Sequence, residues 1–233
     1  LAVVVALTLI TYWGVEPYAH HEMHPPVAPA DFAFSDVKES VADVTALEGN
    51  ATSGEALVTA NCTACHSIES KGFPQVMDNA SSGSAYGVTP PDLGSAGKLY
   101  NATYLAAFIK DHATASRVAH KFVDGRAHPM PSYNWMQPQE IADMVAYLKS
   151  IAPKEMTNKE VFTDSCQRCH AIKYADMKGG SMAAFTPKDD VKHYMGKLPP
   201  DLSQYIKSRG HHYLETFINS PEKHLEGTAM PRV

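Results

Sequence analysis

The chain has 233 residues, 44% of them hydrophobic, four Cys and a formal charge of −5. That length accommodates one or two domains, and the apolar fraction is that of a folded globular chain. The acidic balance argues against a nucleic-acid surface and suits a partner with a basic docking face.

The first thirteen residues, Leu1 to Trp13, carry no charge. As a helix they reach about 20 Å, against roughly 30 Å of membrane hydrocarbon. The segment therefore reads as the second half of a membrane helix that begins upstream. Tyr12 and Trp13 stand where an interfacial aromatic belt would lie, no small-x-small cleavage site follows at once, and Pro17 helps to end the helix. The expectation is a retained transmembrane anchor over residues 1–17, incomplete as given and surrounded by lipid, rather than a cleaved signal peptide. His20, His21, Met23 and His24 then precede Pro25, Pro26 and Pro29. Such a cluster can bind metal, but a solvated interfacial segment is the plainer reading. Residues 18–50 read as a tether, extended from 25 to 53 apart from a short helix around Val37–Leu47.

Gly54 to Val58 opens a helix that runs into Cys62-Thr63-Ala64-Cys65-His66. The pattern recurs as Cys166-Gln167-Arg168-Cys169-His170, and the two copies use every Cys in the chain. C-x-x-C-H is the attachment signature of a c-type haem. Its thiols add across the haem vinyl groups, and the His supplies the proximal iron ligand. Zinc knuckles and redox dithiols also use C-x-x-C. A zinc ribbon, however, spaces its pairs by roughly 15–20 residues, whereas Cys62 and Cys166 lie 104 positions apart. A dithiol has no need of the following His. Two covalently attached haem c groups are expected, with Cys62, Cys65, Cys166 and Cys169 as attachment points and His66 and His170 as axial ligands. Covalent attachment implies an export-side location.

After the first motif, residues 78–92 are turn-formers and read as a loop. Leu105, Phe108 and Ile109 share one face of a helix, and Pro138 starts a closing helix with Ile141, Met144, Val145 and Leu148 on one side. Between them, Met130 is flanked by Pro129 and Pro131 and lies 64 positions after His66. A Pro-stiffened strap can carry its thioether to the iron as sixth ligand. Met77 lies in a loop too near the motif, and Met136 and Met144 are weaker candidates. The plain alternative for any Met is core filling.

Past a polar linker at 153–158 the landmarks return in the same order. Val161-Phe162 matches Leu57-Val58, and Pro199-Pro200-Asp201-Leu202 matches Pro90-Pro91-Asp92-Leu93. Tyr213 to Ile218 matches Tyr104 to Ile109, and Met230-Pro231 matches Met130-Pro131. Met230 lies 60 positions after His170 and is the expected axial partner of that His. Five landmarks in one order imply two copies of one domain, at 51–152 and 153–233. The second lacks the closing helix and reads as truncated. Arg209 stands where a cation could meet a haem propionate, or where an Arg is simply solvated.

Both halves resemble class I cytochrome c domains: C-x-x-C-H, P-P-D-L, Y-L-x-x-F-I, then M-P, over about residues 50–233. The resemblance implies a mainly α fold of two tandem class I cytochrome c domains behind an N-terminal transmembrane helix. The anchor–tether–tandem layout is similar to the di-haem cytochrome c1-type subunit of bacterial bc1 complexes. It departs from the mono-haem cytochrome c1, which has a C-terminal anchor. This second resemblance implies electron transfer from a Rieske iron–sulfur protein to a soluble cytochrome c or a terminal oxidase, beside a cytochrome b subunit. It also implies the bacterial inner membrane, with the haem domains periplasmic. The alternatives are the di-haem subunit of a cbb3-type oxidase, a di-haem peroxidase and a soluble tandem shuttle. Peroxidase chemistry needs an open iron, which two Met-ligated haems would not offer.

Overall fold

The computed structural model describes residues 1–23, 30–86, 89–121, 128–179, 192 and 195–233. It is mainly helical. Among the described residues there are no strands, only two isolated bridges, Ile68 with Phe73 and Ile172 with Met177.

Helix α1 (Ala2–Met23) does not stop at Pro17. A proline ring clashes with the carbonyl four residues earlier and offers no N–H. Thr11–Val15 adopts a π-helical turn just before it, a wider turn of the kind that relieves such a clash. At 22 residues α1 is long and apolar enough to cross a membrane, and none of it is buried against the rest of the protein. His20, His21 and Met23 lie on its last turns; His24, Pro25, Pro26 and Pro29 fall outside the described residues.

The segment read as a tether is packed from Asp31 onward. It forms α2 (Ser35–Lys38), a 3₁₀ turn over Glu39–Val41 and α3 (Ala42–Thr45). Phe34, Val37, Val41 and Val44 are buried, and their three- and four-residue spacing puts them on one helical face. Lys110 fixes this segment from the other side, donating to the Ser40 carbonyl at 3.1 Å and pairing with Asp43 at 3.2 Å.

Helix α4 (Ala51–Cys62) starts at Ala51, earlier than Gly54, because the Asn50 side chain accepts from the Thr52 and Ser53 N–H groups. That capping satisfies donors the helix itself leaves open. Helix α5 (Asn79–Tyr86) replaces most of the expected loop. Its residues have no apolar period; the signal is Asp78, whose carboxylate accepts from the Ser81 N–H and hydroxyl. Then come α6 (Ala96–Leu99), α7 (Ala102–Lys110), α8 (His112–Ala115) and α9 (Pro138–Ile151).

Helices α4 and α9 pack together to close the first copy. Val58, Ile141, Met144, Val145 and Leu148 are buried between and beneath them, each contributing roughly 1.5–3 kcal/mol. Met144 and Met136 are thus core residues. Close approach is possible because Gly54 has no side chain: a Cβ there would lie 2.0 Å from the Asp143 carbonyl oxygen. Asp143 completes the joint by accepting from the Asn50 N–H at 2.7 Å. In the second copy, α10 (Asn158–Ser165) occupies the place of α4. Among the described residues no helix covers it, and Val161 is 39% exposed. It is followed by α11 (Tyr205–Arg209), α12 (His211–Asn219) and α13 (Pro221–His224).

The C-terminal strap binds the first copy. The Arg232 side chain is fully buried (0% exposed), pairs with Asp36 at 2.7 Å and lies over the Phe34 ring at 4.5 Å. Its backbone donates to the Ser116 carbonyl and accepts from the Tyr104 hydroxyl. Arg117 joins the network by pairing with Asp36 at 2.8 Å and with Glu222. Burial pushes the Asp36 carboxyl up, but hydrogen bonds from Arg232 and Arg117 outweigh it and hold it at about 2. A carboxyl so depressed stabilises the fold above its unfolded value near 4 and loses that contribution as pH falls toward 2. Asp36 is about a third exposed, so screening reduces the effect to about 1–2 kcal/mol. Asp36→Asn leaves a buried guanidinium without its anion. It is expected to lower unfolding stability at pH 7 by on the order of 3 kcal/mol and to flatten the pH dependence between 4 and 2. Urea unfolding of both proteins across that window provides the check; equal curves would assign no role to the pair.

Candidate haem sites

Each C-x-x-C-H segment begins where a helix ends. In the first, the Cys65 and His66 N–H groups both donate to the Cys62 carbonyl, at 3.1 and 2.8 Å. In the second, Cys169 and His170 donate to Cys166, at 3.0 and 2.9 Å. One further turn thus sets both thiols and the imidazole on a tight corner.

The segment P-P-D-L then closes on the corner. His66 Nδ1 meets the Pro91 carbonyl at 2.7 Å, and His170 Nδ1 meets the Pro200 carbonyl at 2.8 Å. A carbonyl only accepts, so Nδ1 carries the proton and Nε2 keeps its lone pair for a metal. The following Asp holds the corner from below. Asp92 accepts from the Glu69 N–H and the Ser67 hydroxyl, and Asp201 accepts from the Lys173 N–H. Leu93 N–H donates to Ser67 and Leu202 N–H to Ala171. Six residues past each His the chain turns through positive φ, at Gly72 (78°) and Asp176 (52°). The two corners thus share the His-to-carbonyl bond, the Asp-to-N–H bond and the positive-φ turn, while the Ser67–Asp92 bond has no counterpart at Ala171.

The chemistry of these groups fits covalent haem. Burial lowers both His pKa values, toward neutral rings able to ligate. Burial also raises the Cys62 thiol to about 12 and raises Cys166 and Cys169, as expected of sulfurs set among apolar atoms rather than of a reactive dithiol. Among the described residues no group of three or more His, Cys, Asp and Glu could hold a metal ion.

Met130 is half-buried and packed against the core. Its strap is tied down on both sides: Met130 N–H donates to His128 Nδ1, the Ser132 hydroxyl to the Lys110 carbonyl, and the Tyr133 hydroxyl to the Asn61 carbonyl at 2.8 Å. Asn61 directly precedes Cys62, so Tyr133 joins the strap to the attachment corner. The His128 ring lies 3.9 Å from the buried His112 ring, and burial holds His128 at about 4. Tyr133 and His112 had no assigned role in the sequence: Tyr133 is marked there only by standing three positions after Met130, and His112 by nothing. Met230 is also half-buried, but its strap is tied to the other copy: His120 to the Thr228 carbonyl, and Arg232 to Ser116 and Asp36. Arg209 is exposed, with its guanidinium 5.5 Å from the Tyr213 ring centroid.

Residues 51–152 match the family described as Cytochrome c. A protein described as cytochrome c-553-like, from Synechocystis sp. (strain ATCC 27184 / PCC 6803 / Kazusa), is 30% identical over 125 residues, which cover 54% of this chain and 91% of that protein. No solved structure matches.

Proposed function

Because the chain belongs to the cytochrome c family, whose domain carries covalently bound haem c, we propose that it is a membrane-anchored di-haem electron carrier. One observation carries the number two: each C-x-x-C-H has its His Nδ1 on a P-P-D-L carbonyl, at 2.7 and 2.8 Å. Cys62 and Cys65 would hold one group and Cys166 and Cys169 the other. His66 with Met130, and His170 with Met230, would ligate the two irons. Bound haem supplies a one-electron iron couple. The chain's own residues set its conditions. The Pro91 and Pro200 carbonyls fix the imidazoles and increase their basicity, the buried core excludes water, and thioether ligation raises the potential.

Ala2–Met23 is the anchor in this reading. The layout supports a place in the bacterial inner membrane with the haem domains periplasmic, receiving electrons from a Rieske iron–sulfur protein beside a cytochrome b subunit. The acceptor would be a soluble cytochrome c or a terminal oxidase. Purification from detergent-solubilised, carbonate-washed membranes tests it. Co-purifying cytochrome b and Rieske subunits are expected. Oxidase subunits would instead assign the chain to a cbb3-type oxidase, and release of intact protein into the wash would overturn the anchor.

A further inference from the structure

The two C-x-x-C-H corners differ at their two middle positions, Thr63 against Gln167 and Ala64 against Arg168. The Ala64 side chain is a methyl group; that of Arg168 reaches across the seam between copies. Arg168 Nη1 donates to the Thr89 carbonyl at 3.1 Å. Thr89 is buried and immediately precedes Pro90 and Pro91, the backbone whose carbonyl holds His66. One side chain therefore links the residue beside Cys169 to the support of the first proximal histidine, through two hydrogen bonds and a rigid Pro-Pro unit. A cavity of about 720 Å³ opens along the same seam, lined by Glu69, Pro90, Pro91 and Asp92 from the first copy and by Asp164 and Arg168 from the second.

A surface Arg would hold such a contact weakly. Arg168 is half-buried, and its Nε is buried without a hydrogen-bond partner. Among the described residues it has no ion pair, although Asp164, Glu69 and Asp92 line the same cavity. Its guanidinium sits on the Thr89 carbonyl, two residues before the Pro91 carbonyl that holds His66. A guanidinium is cationic at any working pH. A fixed positive charge beside an iron favours the ferrous over the ferric state.

We propose that Arg168 is the positioning residue for electron exchange between the two haems: it seats the second C-x-x-C-H corner on the Thr89–Pro91 backbone and places a permanent positive charge on the segment that holds His66. One electron leaves one iron, which becomes ferric, and arrives at the other, which becomes ferrous; no bond forms or breaks. The inference rests on the two-haem reading.

Arg168→Gln and Arg168→Lys in the full chain test it, with three readouts: haem count, reductive titration, and the rate of inter-haem equilibration after flash reduction. The first iron is identified as the one whose titration moves in Met130→His. With Gln, two haems are retained, equilibration slows about tenfold, and the ferric-to-ferrous ratio of the first iron at a fixed potential rises about fivefold. Lys keeps the charge but not the planar donor, so the ratio stays within about twofold of the unaltered protein while the rate falls. Two haems with unchanged rate and ratio in Arg168→Gln would overturn the inference alone. A slower rate with an unmoved ratio would reduce Arg168 to a structural contact and overturn it as well. One haem in the unaltered chain would remove the two-haem reading and the inference together.

Discussion

Replacing Cys166 and Cys169 by Ala is expected to halve the covalent haem, from two per chain to one, and replacing Cys62 and Cys65 to halve it likewise. Pyridine haemochrome measured after denaturation reads this directly, because only thioether-linked haem stays with the chain. The two variants should differ in what else they lose. The first copy has α4 and α9 packed through Gly54 and a core including Val58, Ile141 and Met144. Among the described residues the second has no helix over α10, and Val161 stays exposed. A buried haem is therefore a larger share of the second copy's apolar interior. Loss of its haem should unfold residues after 153 locally while the first copy keeps its helices. Loss of the first haem should reduce the cooperative unfolding of the whole chain, because the tether and the C-terminal strap both rest on that copy. Unchanged haem content in either double variant would show that the motif concerned is not an attachment site.

The geometry of the C-x-x-C-H corners was legible in the sequence because it is local: two thiols, a His and a turn, within five residues. The closing helix was legible for a similar reason, since Ile141, Met144, Val145 and Leu148 repeat at helical spacing. Helix α5 was not, because its Ser, Gly and Ala residues have no apolar face and only the Asp78 cap marks its start. The docked tether had its signal in Phe34, Val37, Val41 and Val44, obscured by the proline run before it and by α2 and α3 being single turns. Pro17 misled in the other direction: a π turn absorbs a defect that a regular helix could not. The contacts of Arg168 and Arg232 were beyond reach, because each joins groups more than 75 positions apart, and nothing in a single sequence pairs them.

The largest change in redox behaviour is expected from Met130 and Met230, the methionines proposed as iron ligands. Thioether sulfur favours ferrous iron more than a second imidazole does, so Met/His ligation raises the potential. Met130→His and Met230→His should each abolish half of the weak sulfur-to-iron absorption and lower one midpoint by a substantial part of the roughly 0.8 V over which axial ligands act. The straps make the two sites respond differently to a remote change. Met130 is held within its own copy, by Ser132 on Lys110 and Tyr133 on Asn61. Met230 is held two residues away by Arg232, which is anchored on Asp36 of the tether and Ser116 of the first copy. Asp36→Asn should therefore weaken the sulfur absorption of the second site and leave the first intact, whereas Tyr133→Phe should do the reverse. Spectra of the oxidised proteins, followed through a redox titration, separate the cases. If Met230→His leaves both spectrum and titration unchanged, Met230 is packing rather than a ligand, and the second iron takes its sixth ligand elsewhere or has none. If Asp36→Asn disturbs both sites equally, the strap is not what holds Met230, and the Asp36–Arg232 pair serves the fold as a whole.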